Sequence, residues 1–183
     1  TFLFLRIKKD GEDKRFRTIK PSATRFFMTW TLQGLWVSLC SMCALTAISS
    51  ETGIIFNPLT FIGLVLFISG FAIEIIADNQ KSKFRSIDNN KNSFITTGLW
   101  ARSRHPNYFG EILLWLGVAV MSFSSLSGWQ YLTLISPIFT YVLLVYVSGV
   151  RMLEDLGEKK WGQDEAYQKY KSSTPSLFFS LKL

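Results

Sequence analysis

The chain has 183 residues, 48% of them hydrophobic and 15% aromatic, with sixteen Phe and six Trp, and its mean hydropathy is +0.21. That is too apolar for an ordinary water-soluble domain and directs the reading to a membrane protein. Twenty Lys and Arg against thirteen Asp and Glu leave a net charge of +7. The basic residues alternate with long apolar runs instead of lining one stripe of a polar fold, which argues against a nucleic-acid partner and makes topology the thing the charge reports.

From the N-terminus, "TFLFL" lacks the basic region that would precede the apolar core of a signal peptide. It reads as the tail of an earlier spanning segment, so further helices are expected before Thr1. Four later runs are long enough to cross a bilayer, which takes about 20 residues. They cover approximately 26–48, 58–76, 108–126 and 131–153. Cys40 and Cys43 fall in the first run with no His or further Cys beside them, so they read as packing residues and not as a metal site.

The connector "SSETGIIFN" after the first run and "SGWQ" after the third contain no Lys or Arg. Basic residues collect from Arg6 to Arg25, Lys81 to Arg104 and Arg151 to Lys182, as two antiparallel helical hairpins require, and the positive-inside rule places the loops 6–25, 77–107 and 154–183 in the cytoplasm. The expected architecture is therefore all-α: one multi-pass transmembrane helical bundle with a pocket facing the cytoplasm. A loop is expected from Asp78 to Pro106, and the tail 154–183, which carries Trp161, Tyr167, Tyr170 and Phe178, is expected to fold back on the pocket.

The polar chemistry converges on "WARSRHPNYFGE", residues 100–111, which runs directly into the third apolar run. Pro106 suits a first helical turn, and Asn107 and Glu111, four apart, then share one face bordered by Tyr108. An amide and a carboxylate together can donate to and accept from a polar ligand; the alternative is a carboxylate that merely reaches the interface, as Glu74 in the second run also could. Arg102, Arg104 and His105 precede a helix N-terminus, where free N–H groups favour an anion, phosphate first; lipid head groups are the competing partner. Asp78, Arg85 and Arg151 emerge at the same rim, and Tyr167 and Tyr170 could cover it. His105 has no metal-ligand partner near it in sequence, and no metal site is expected.

The stretch "SRHPNYFGE", with "WTLQGLWV" before it and "WGQDEAYQKYKSSTP" after the last run, resembles the membrane family with a steroid 5-alpha-reductase C-terminal domain. Its superfamily includes sterol reductases, which use NADPH, and isoprenylcysteine carboxyl methyltransferases, which use S-adenosylmethionine. Arg104 to Gly110 matches the motif common to these groups, and the pair Asn107 and Glu111 is similar to the reductase branch, where it is implied to contact the nicotinamide. The resemblance implies roles for Asp78 and Arg85 at the adenine nucleotide and for Arg151 at a phosphate. It leaves Glu111 and Tyr108 as candidate catalytic residues.

The expected function is thus an NADPH-dependent membrane reductase acting on a lipid-like or steroid-like enone, a hydrophobic small molecule reached from the membrane lipids. The alternatives are an S-adenosylmethionine-dependent methyltransferase of a lipid or prenyl-type substrate, with His105, Tyr108 and the tail at the cofactor, and a non-catalytic lipid-binding membrane protein.

Overall fold

The computed structural model of the chain describes residues 8, 11, 16, 17, 19–90 and 92–180. The expected span remnant at 1–5 and much of the basic segment 6–25 lie outside the described residues. The chain divides into two compact units, Thr1–Leu39 and Cys40–Leu183. Among the described residues the secondary structure is helical, without strands. Four helices are long and apolar enough to cross a membrane, Ala23–Ser49, Pro58–Ser86, Pro106–Ser125 and Gly128–Trp161, and the protein is a multi-pass membrane protein.

The first helix, α1 (Ala23–Ser49), is shared between the units. In the first unit Ser22 Oγ accepts from the Arg25 N–H at 3.4 Å at its start, and Phe27, Met28, Leu32 and Leu35 are exposed as lipid-facing residues should be. In the second unit its buried residues are Cys40, Cys43 and Ala47. Both thiols are buried as small packing groups, and Thr140 Oγ1 donates to Cys40 Sγ at 3.3 Å. Ser136 Oγ donates to the Cys40 carbonyl.

Helix α2 (Pro58–Ser86) starts with a reciprocal cap: Asn57 accepts from the Thr60 N–H, Thr60 Oγ1 accepts from the Asn57 N–H, and Pro58 opens the first turn. Asn57 Nδ2 also donates to Ser124 Oγ at 2.7 Å, tying the start of α2 to the turn Phe123–Ser125. Helix α3 (Pro106–Ser122) runs antiparallel to α2. Gly63 meets the backbone of Gly117 and Met121, and Gly70 meets that of Gly110 and Leu114. The glycines on each helix are seven apart, close to two turns, so both contacts fall on one seam. Small residues let membrane helices approach backbone to backbone, where dispersion and not hydrophobic expulsion holds them.

The fourth span is broken. A 3-10 stretch (Gly128–Leu134) leads into α4 (Ile135–Val142), and a π turn (Leu143–Val147) follows, in which the Ser148 N–H reaches back five residues to the Leu143 carbonyl at 2.9 Å. A Cβ on Gly149 would sit 2.0 Å from the Leu144 oxygen, so the bend requires glycine. Helix α5 (Val150–Trp161) follows Gly149, and α6 (Glu165–Ser173) follows after Asp164, which caps it by accepting from the Ala166 N–H at 2.8 Å.

One boundary differs substantially from expectation. The loop predicted from Asp78 is helical as far as Ser86, and α2 passes the expected end at residue 76 by almost three turns. Hydropathy marks where lipid ends, whereas the helix ends where its hydrogen bonding does.

Candidate functional site

The motif loop is anchored before it reaches α3. Gly98 takes φ +66°, and the following 3-10 turn (Gly98–Ala101) brings Trp100 into the interior, where its indole N–H donates to the Ala77 carbonyl at 3.0 Å. Gln80 accepts from the Leu99 N–H at 2.9 Å, which explains why α2 must extend past residue 76. The C-terminal segment then lies along this loop. Ser103 Oγ donates to the Leu177 carbonyl at 2.8 Å, the Arg104 N–H to the Pro175 carbonyl at 2.9 Å and the Ser180 N–H to the Arg102 carbonyl at 2.9 Å.

Arg104 and His105 converge on one carboxylate. Arg104 Nε and Nη2 fork onto Glu154 Oε1 and Oε2 at 3.0 and 2.9 Å, the bidentate geometry that suits guanidinium best. Its Nη1 donates to the Thr174 carbonyl at 2.9 Å and to that of Lys171. His105 Nε2 stands 2.7 Å from Glu154 Oε1. The expectation for Arg104 was a phosphate contact; in the structure most of its donors hold α5 and the tail.

A cavity opens beside this hub, lined by Lys81 and Arg85 from α2, Phe94, Trp100, Arg104, His105, Glu154, and Trp161, Tyr167 and Tyr170 from the C-terminal part. Phe94 is its aromatic centre, with ring centroids 5.7 Å from Trp161, 5.1 Å from Tyr167 and 5.8 Å from Tyr170. A Cβ on Gly157 would stand 2.3 Å from the Tyr167 hydroxyl, so glycine there makes room for the ring. Lys81 Nζ lies 5.0 Å from the Trp100 ring centroid, a cation–π contact. Among the described residues neither Lys81 nor Arg85 forms an ion pair within hydrogen-bonding reach.

The candidate residues therefore separate. Arg85, Arg104, His105, Tyr167 and Tyr170 line the cavity. Asp78, Asn107, Tyr108 and Glu111 gather at the α2–α3 seam with Glu74: the Asn107 amide lies near enough to the Asp78 carboxylate to favour its charge, and the three carboxylates are close enough to repel. Tyr108 joins the two groups, its ring stacked on His105 at 5.9 Å and 15°. Arg102 is exposed on the loop. Arg151 does not join them either; it lines a separate shallow cleft with Tyr146, Asp155 and Lys159. Phe94, Trp100 and Gly157 were not candidates, although all three touch the cavity.

Tyr170 ties tail to motif, its hydroxyl donating to the Trp100 carbonyl at 2.6 Å. Burial pushes its phenol well above the ordinary range, and Tyr167 moves the same way for the same reason. A raised folded-state value means the contribution is fully present below the ordinary phenol value of about 10 and is lost as pH rises through the folded one. Tyr170→Phe is expected to cost about 1 kcal/mol at neutral pH. It should also flatten the alkaline fall in stability, read as Tm from about pH 8 to 11 in both proteins.

Fold and site together define a multi-pass helical membrane protein whose C-terminal segment closes over an aromatic, partly cationic cavity beside a carboxylate–amide seam. The chain belongs to the family described as "Protein of unknown function (DUF1295)", which matches residues 1–174 and is part of the steroid 5-alpha-reductase-like superfamily. It is 41% identical over 64 residues to the steroid 5-alpha-reductase DET2 of Arabidopsis thaliana, a match covering 34% of this chain and 24% of that protein. It is 30% identical over 114 residues to the "Probable O-methyltransferase ustE" of Ustilaginoidea virens, covering 54% and 40%. An uncharacterised protein of Schizosaccharomyces pombe is 28% identical over 136 residues, covering 62% and 38%. The chain thus spans less than half the length of these relatives, and no solved structure gives a significant match.

Proposed function

We propose that the protein is a membrane-embedded reductase that uses NADPH to reduce the double bond of a lipid-like or steroid-like enone. The observation that carries this reading is the pair Lys81 and Arg85, two cations in the wall of an aromatic cavity that form no close ion pair among the described residues. Such cations suit the phosphates of a dinucleotide, and the rings around Phe94 suit its base. Similarity to a plant steroid 5-alpha-reductase supports the same class.

When bound, NADPH would supply the hydride. Lys81 and Arg85 would hold its phosphates, and Asn107, beside Asp78, would fix the nicotinamide end together with Glu111. Hydride addition to an enone leaves a carbanion equivalent that needs a proton, and the Tyr108 hydroxyl is the group proposed to deliver it. The basic segments that flank the site support placing this end of the bundle in the cytoplasm.

A second reading has its own observation. A ring of aromatics also suits a sulfonium cation, and the similarity to an O-methyltransferase points to S-adenosylmethionine. Thermal unfolding of the detergent-purified protein separates the two. NADPH at about a hundred times its Kd should add about 2.7 kcal/mol of stability, while S-adenosylhomocysteine adds none. Arg85→Ala should remove most of that response. A rise in Tm with S-adenosylhomocysteine and none with NADPH replaces the reductase by the methyltransferase; no rise with either leaves a lipid-binding role.

A further inference from the structure

His105 is 6% exposed and lines the cavity. Its Nε2 lies 2.7 Å from Glu154 Oε1. An ionised carboxylate only accepts, so Nε2 carries the hydrogen of this bond, and in the neutral imidazole the other nitrogen, Nδ1, is then an acceptor. Nδ1 makes no hydrogen bond among the described residues, yet no buried side-chain nitrogen or oxygen there lacks a partner. It therefore keeps accessible surface, and His105 is a wall residue of the cavity. The ring cannot easily turn to present another atom: Tyr108 stacks on it, and Glu154 is itself locked by the Arg104 fork.

We propose that Glu154 is a positioning residue: by holding Nε2–H of His105 it turns Nδ1 towards the cavity as an acceptor, so that the ligand bound there brings an N–H or O–H donor to that point. The inference rests on the proposed function only in taking this cavity as the ligand site. It names the chemistry of one contact, a hydroxyl, amide or amine of the ligand given to Nδ1, and leaves the phosphates to the cations on the other wall. It also gives a reason for a carboxylate on α5 that a phosphate site alone would disfavour. Arg104 neutralises Glu154, and the carboxylate then serves as the orienter of the imidazole, as an outer group fixes the tautomer of a metal-bound or catalytic histidine.

His105 is the only histidine of the 183 residues, so protein labelled with 15N-histidine and purified without a histidine tag reports one ring, assigned by loss of its signals in His105→Asn. In spectra of the neutral ring, taken at alkaline pH, wild type should show Nε2 protonated and Nδ1 bare. In Glu154→Gln the two nitrogens should lose this fixed distinction. Added NADPH should move the Nδ1 resonance and leave Nε2 in place. His105→Gln, whose amide can still donate to Glu154, should keep the wild-type Tm within a few degrees while NADPH binds about tenfold more weakly, the equivalent of one lost hydrogen bond.

The proposal is overturned by hydrogen on Nδ1 in wild type, by unchanged ring signals in Glu154→Gln, or by undiminished NADPH binding in His105→Gln. If NADPH fails to raise the Tm of wild type, the reductase reading falls. The unliganded spectra of wild type and Glu154→Gln still decide the role of Glu154, and S-adenosylhomocysteine replaces NADPH as the probe of Nδ1.

Discussion

Gly110→Ala is expected to destabilise the protein by about 3 kcal/mol, the upper end of what overfilling a packed interior costs. The added Cβ would stand 2.6 Å from the Gly70 oxygen and 2.7 Å from the Glu74 nitrogen, and both are backbone atoms that no rotamer change can move. Gly70 is under the same constraint in reverse, at 2.5 Å from the Gly110 oxygen and the Leu114 nitrogen. The only relief is to separate α2 from α3, which also opens the second contact at Gly63 and Gly117, where added Cβ atoms would meet backbone at 2.5–2.7 Å. Gly117→Ala should therefore destabilise comparably. The two variants should part on ligand response. Gly110 is adjacent to Glu111 and three residues from Asn107, so spreading the helices there disturbs both proposed nicotinamide contacts, whereas Gly117 is nearly two turns further along. Gly34→Ala is the control, since nothing lies within 4 Å of its added Cβ and the gain in helix propensity should make it neutral or slightly stabilising. Thermal unfolding in detergent with and without NADPH reads all three; wild-type Tm in Gly110→Ala would mean the helices do not approach so closely.

The spans were legible because lipid imposes a length and an apolar composition on any segment that crosses it. Glycine spacing on the α2–α3 seam was equally present in the sequence, as Gly63 and Gly70 against Gly110 and Gly117, but four glycines in two apolar runs do not say which helix they face. The extension of α2 to Ser86 was hidden for a different reason. The polar stretch "DNQKSKFRS" has no apolar face to announce a helix, and its partner, the Trp100 turn, is 23 residues away at its hydrogen bond to Ala77.

The motif residues were found because the chemistry is concentrated in one short stretch. Their division between cavity and seam was not, since it depends on how α3 is rotated against α2. Arg151 and Glu154 show the limit most clearly. They are three residues apart on α5, yet Glu154 faces the cavity and Arg151 the other cleft. The π turn and the bend at Gly149 reset the helical phase just before them, so the face of α5 cannot be extrapolated from the span upstream.

Arg104→Ala should release the C-terminal segment and cost about 3 kcal/mol, near the lower bound for breaking a buried ion pair, because the Arg104 and Glu154 side chains keep 13% and 19% of their exposure. The loss has two parts. Glu154 would retain only the His105 bond for a half-buried charge, and the carbonyls of Lys171 and Thr174 would lose the donor that holds the end of α6 against the motif. Arg104→Lys should fall between, since an ammonium keeps the charge but cannot fork onto both carboxylate oxygens while reaching the tail. Limited proteolysis should then cut Arg104→Ala within residues 165–180 under conditions that leave wild type intact, with Tm lowered in parallel. The same variant distinguishes the two roles open to this arginine. A phosphate ligand would lose NADPH binding at an unchanged Tm with a protected tail, whereas a clamp loses tail protection first, and binding only because Tyr167 and Tyr170 leave the cavity with it.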